Sequence, residues 1–147
     1  MVCIDRRLLL AALFALGTVA CDGDGGTQPD PNGPSHVRID DPGGRLRGHE
    51  AEILRLVNTT LTAVLERLPA TGVAITVLPD GRAIRGYGIG GLTPDATTVW
   101  IYIDAAFPDI WALLPSRLPQ MVAHELHHAV RHRRPGYGRT LFEAMIS

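Results

Sequence analysis

Val122-Ala123-His124-Glu125-Leu126-His127-His128-Ala129-Val130 is the stretch whose reading decides the fold. It holds the pattern H-E-x-x-H within a run of helical character. His124 and His128 stand at i and i+4, so on a helix they lie one turn apart on one face and their imidazoles can converge on a tetrahedral zinc ion. Glu125, turned by about 100° from His124 on a helix of 3.6 residues per turn, flanks that face. From there it can take a proton from a metal-activated water, the general-base role this pattern carries in metalloproteases.

The flanking residues supply the helix that the spacing demands. Ser116 reads as its N-cap and Pro119 as a first-turn residue, where a missing N–H is harmless. Leu118, Met121, Val122, Leu126, Ala129 and Val130 form the apolar stripe. Arg131, Arg133 and Arg134 complement the dipole and cap the last carbonyls, and Pro135-Gly136 stop the run. Upstream, Thr97–Asp104 is the strongest strand signal, and Pro108 to Pro115 leads from it to the helix. Val73–Leu78 is a second strand, closed by the turn Pro79-Asp80-Gly81-Arg82. A weaker strand is expected within Ala83–Ile89. Gly86, Gly88, Gly90 and Gly91 make it irregular, and the absence of a phosphate-loop pattern argues against nucleotide binding. Ile53, Leu54, Val57, Leu61, Val64, Leu65 and Leu68 recur at helical spacing, giving a helix over 49–68 ended by Pro69, with His49 as a surface residue.

The N-terminus reads differently. Arg6-Arg7 and the apolar run from Leu8 to Leu16 make residues 1–20 a secretory signal peptide, too short in its core to span a bilayer. Thr18-Val19-Ala20-Cys21 resembles the lipobox of bacterial lipoproteins, which implies cleavage before Cys21 and its lipidation. Cys3 leaves with the signal, so no intrachain disulfide is expected. Residues 21–48, dense in Gly, Pro and Asp, read as a disordered tether, and Asp22, Asp24 and Asp30 lack the ligand order of a calcium loop. The folded part is then 49–147, one small domain of an exported, membrane-anchored protein of the bacterial cell envelope. Losing Asp5, Arg6 and Arg7 moves the formal charge from −1 to −2, which gives no case for a nucleic-acid partner. All fourteen basic residues are arginine, a bias better ascribed to a GC-rich genome than to phosphate binding.

The order helix, small sheet, H-E-x-x-H helix resembles the zincin type of zinc metallopeptidase. More narrowly, Gly90-Gly91, the strand at Val99–Ile103, the block Leu118–Arg131 and the segment Gly138–Ser147 resemble a bacterial family of predicted zinc-dependent proteases. That resemblance spans roughly residues 50–147. It implies an α+β, zincin-like fold with an N-terminal helix, a small twisted sheet and an active-site helix. It also implies zinc on His124 and His128, catalysis by Glu125, and a peptide laid along strand 97–104 by β-augmentation. The family's third ligand is a glutamate on a following helix, which here would fall at position 148. The expectation is therefore that these 147 residues belong to a longer chain. Glu143 is the nearest substitute, although Thr140–Glu143 matches a capping box. His132 extends the histidine stripe but cannot share one metal with both His124 and His128 on a straight helix. Arg131 and Arg134 stand where a metzincin would need Gly and His. Tyr137 and His127 are candidates for stabilising an oxyanion. The arginines at 131, 133, 134 and 139 are candidates for holding a substrate carboxylate. The competing expectation is a non-enzymatic surface lipoprotein that binds metal or a partner through the same helix. Nothing in the sequence sets the oligomeric state or the substrate.

Overall fold

The computed structural model describes residues 33–80 and 82–134. They form, in order, strand β1 (His36–Ile39), helix α1 (Glu50–Leu65), strands β2 (Ala74–Pro79), β3 (Ile89–Leu92) and β4 (Thr98–Ile103), and helix α2 (Ile110–His132). The architecture is α+β with one mixed sheet in the order β1-β2-β4-β3. β1, β2 and β4 run parallel, and β3 is antiparallel to β4. Parallel neighbours cannot be joined by a tight turn. Accordingly α1 carries the chain from β1 to β2, and β3 is an excursion to the far side of β4.

Register sets the core. Val37, Ile75 and Val99 align in one row, and Ile39, Val77, Ile101 and Gly91 in another. Alternation sends these rows to one face, where they join Ile53 and Val57 of α1 and Leu114, Leu118, Val122 and Leu126 of α2, all fully buried. Helix α1 packs on α2 and β1, while α2 packs on β3 and β4. The helix carrying the histidines is thus braced on three elements.

Several expectations shift. The tether does not run to residue 48, because His36–Ile39 pairs along β2 and Leu46 is fully buried. The Asp41 carboxylate secures this turn, accepting from the amides of Arg45 at 2.9 Å and Leu46 at 2.6 Å. A strand of only four residues gains its stability from its partner, so composition alone hid it. The weak strand within 83–89 is instead Ile89–Leu92. A Cβ on Gly90 would lie 3.0 Å from the Arg82 carbonyl oxygen, so glycine allows the 82–84 segment to cross that strand. His49 is half-buried, its ring stacked 3.7 Å from that of Trp111. Strand β4 lies between β2 and β3, so it is not the edge expected to receive a peptide. The edges are β1 and β3, and the outer side of β3 is partly covered at its start, where the Ile89 carbonyl accepts from the Ile84 amide at 3.2 Å.

Helix α2 also begins earlier than expected. Ser116 is not its cap and Pro119 is not in its first turn: Asp109 is the N-cap, in the left-handed region at φ 57°, and both Pro115 and Pro119 lie inside the helix. An interior proline removes the hydrogen bond to the carbonyl four residues back. Pro115 is exposed, which places that loss on the solvent side, while Ile110, Leu114 and Leu118 on the opposite face are buried. Apolar burial outweighs the local rule.

Candidate metal centre

On α2, His124 is exposed and His128 half-buried, and the spacing brings them together as the helix geometry requires. Their Nε2 atoms lie 3.0 Å apart with the rings at 77°. Two imidazole nitrogens on a tetrahedral zinc, each at about 2.0–2.1 Å, stand about 3.3 Å from one another. The donor set therefore fits two corners of such a site. Burial, followed by the fields of His124, His127, Arg131 and His132, holds His128 below the ordinary histidine range. That favours the neutral, lone-pair-bearing form a metal needs.

Glu125, the next residue after His124, is buried, with 5% of its surface exposed. Its Oε2 accepts the Thr93 hydroxyl at 2.7 Å, and Thr93 lies just beyond β3. Its carboxyl group fills the space above Gly91, where a Cβ would come within 2.4 Å of Oε1. Burial pushes this carboxyl above the usual glutamate range, against the opposing pull of the Thr93 hydrogen bond and the His124 charge. A carboxyl held above its usual range is a better proton acceptor than an ordinary glutamate.

Beside His124 is a recess of about 370 Å³ walled by Ile84, Tyr87, Gln120 and Met121. Its loop wall is bolted to α2. The Tyr87 hydroxyl donates to Gln120 Oε1 at 3.2 Å, and the Arg117 guanidinium donates to the Tyr87 carbonyl while lying 4.6 Å over its ring.

Among the described residues no three His, Cys, Asp or Glu side chains are grouped to hold a metal. Glu143 and Tyr137 lie outside the described residues, as do Arg139, Cys21 and the 1–20 segment. His132 does not join the pair, since its Nε2 sits 3.0 Å from the Thr93 carbonyl oxygen. His127 is exposed. Arg133 does more than cap its own helix: it donates to the carbonyls of Pro69, at 2.7 Å, and Thr71, tying the end of α2 to the loop after α1. Thr93, Gln120 and Tyr87 escaped the sequence reading. Thr93 and Tyr87 lie in a region without periodicity, where only the Gly90-Gly91 pair marked the place, and Gln120 lies on the polar side of the helix, where periodicity signals nothing. Among the described residues no helix is long and apolar enough to cross a membrane. Comparison with protein-family models, curated proteins and solved structures returned no match.

Proposed function

We propose that this chain is a zincin-type metallopeptidase domain in which His124 and His128 hold a zinc ion and Glu125 is the general base. The observation that carries the reading is the pairing of two Nε2 atoms 3.0 Å apart with a buried, hydrogen-bonded carboxyl from the very next residue. Bound there, zinc supplies Lewis-acid polarisation of a peptide carbonyl and acidifies water. The Glu125 carboxylate takes the proton of the attacking water and returns it to the leaving amine. The outer edge of β3 beyond Ile89, antiparallel to β4 and next to α2, offers main-chain groups on which an extended peptide can be laid. A third ligand from Glu143 or from a residue beyond 147 completes the site in this reading. Cys21 is the proposed lipid anchor of an exported protein. Its Cys21→Ala variant leaves the membrane fraction or stalls in processing.

The test is a panel of peptides incubated with zinc-loaded protein. Chelator-sensitive cleavage that disappears in Glu125→Gln at unchanged zinc content supports the enzyme. Equal turnover by the two proteins overturns it. A second reading, a metal- or partner-binding surface lipoprotein, is favoured by the presence of only two converging ligands among the described residues. Stoichiometric zinc without cleavage selects that alternative.

A further inference from the structure

His132 continues the spacing of His124 and His128 by one more turn, which invites a metal role. The geometry gives it another. Its Nε2 lies 3.0 Å from the main-chain oxygen of Thr93, and a carbonyl oxygen only accepts, so that nitrogen carries a proton directed at Thr93. The Thr93 side chain, 8% exposed, has a single hydroxyl hydrogen. It lies 2.7 Å from Glu125 Oε2 and 3.1 Å from the Glu125 carbonyl oxygen. The shorter contact is to the ionisable oxygen. Two residues earlier, Gly91 leaves room for the carboxyl, because a Cβ there would run into it. One short stretch at the end of β3 therefore seats the carboxyl from two sides, and α2 holds that stretch in place through His132.

We propose that Thr93 and His132 are positioning residues for Glu125. Thr93 fixes the carboxyl's orientation through its hydroxyl bond to Oε2, and Gly91 makes room for Oε1. His132 fixes Thr93 by gripping its carbonyl from the helix that also carries Glu125. The arrangement matters because a glutamate side chain has three rotatable bonds, and a base displaced by a fraction of an ångström loses much of its effect. The assignment of a base role rests on the metallopeptidase reading above. The placement of the carboxyl does not.

The experiment uses the 147-residue chain, and one extended past Ser147, with zinc added. Thr93→Val removes the hydroxyl with little change of shape, and Thr93→Ser restores it. His132→Leu removes the donor, and His132→Gln supplies an amide N–H in its place. Thr93→Val lowers kcat on a peptide substrate on the order of 10- to 100-fold, by analogy with the loss on removing hydrogen-bond partners that orient metal ligands. KM and zinc stoichiometry stay unchanged, and Thr93→Ser recovers most of the loss. His132→Leu gives a smaller fall in kcat that His132→Gln partly reverses. A second measurement does not depend on activity: the ¹³C resonance of the Glu125 carboxyl, assigned by its disappearance in Glu125→Gln, moves in Thr93→Val and returns in Thr93→Ser. Should neither this chain nor one extended past Ser147 cleave a peptide, the metallopeptidase reading fails while the resonance still decides the seat. An unmoved resonance in Thr93→Val overturns the proposal. So does a kcat that is unchanged in Thr93→Val, or that Thr93→Ser fails to restore.

Discussion

The two helices pack against one another and share one core, yet they differ in what they bury. Helix α1 buries Ile53, Leu56, Val57 and Leu61 and nothing polar. Its Asn58, Thr60 and Thr62 side chains bond to carbonyls four residues back. Helix α2 buries seven apolar residues and one carboxyl group, Glu125, and runs through two prolines to do so. A scaffold helix has no reason to take an ionisable group out of water, because desolvation must be offset by a partner supplied from elsewhere in the fold. Thr93 is that partner. The contrast separates a helix that holds the sheet from one that the sheet helps to hold in a working geometry.

Replacing Glu125 by Gln attacks the contrast most directly. On the metallopeptidase reading proposed above, peptide hydrolysis should fall about 10²- to 10⁴-fold, the usual contribution of a general base, with zinc content unchanged. Steady-state kinetics at matched metal occupancy reads this. Packing comes next. Leu126→Ala in α2 and Leu61→Ala in α1 both empty core positions, at 0% and 6% exposure. Each should cost about 2–5 kcal/mol in chemical denaturation. If α1 is scaffold alone, Leu61→Ala keeps its specific activity per folded molecule. A selective loss of activity there would break the comparison.

Gly91→Ala is a sharper probe of the seat. The new Cβ would sit 2.4 Å from Glu125 Oε1, so the carboxyl must move. A destabilisation of about 1–3 kcal/mol is expected from overpacking. Zinc binding should persist while kcat drops. A variant as active as the wild type would show that the seat is not required.

The smallest expected effect is on the pH dependence of stability. Burial makes the Glu125 carboxyl harder to ionise in the fold than in the unfolded chain. Its folded-state value is raised, so the associated stability is complete below the ordinary glutamate range and is lost as pH rises through the raised value. Glu125→Gln removes that loss. Without added metal, its Tm should match that of the wild type in acid and exceed it only above the window. Identical Tm profiles for the two proteins at every pH would contradict the burial argument. His128, held below its ordinary range, works in the opposite sense. Its contribution is present above that range and is lost as pH falls through the depressed value.

Much of the frame could be read from local patterns. The helix expected over 49–68 is Glu50–Leu65, and the strands expected over 73–78 and 97–104 are Ala74–Pro79 and Thr98–Ile103. In each, periodicity and punctuation agree. Failures cluster where a partner distant in sequence decides. His36–Ile39 is too short and too polar to declare itself without β2 beside it. The start of α2 was misplaced because Pro115 and Pro119 look like terminal residues until Ile110 and Leu114 are seen to need burial. Strand β4 looked like an edge because nothing local announces that β3 folds back outside it.

By itself the sequence determined that His124 and His128 share a face, because four residues on a helix return to nearly the same side whatever the surroundings. It determined no more of the centre than that. That Glu125 is buried, that Gly91 makes room for it and that Thr93 holds it were decided by the tertiary structure. Those contacts join residues more than thirty positions apart, and the cost of removing a carboxylate from water is met only when such distant groups are packed together.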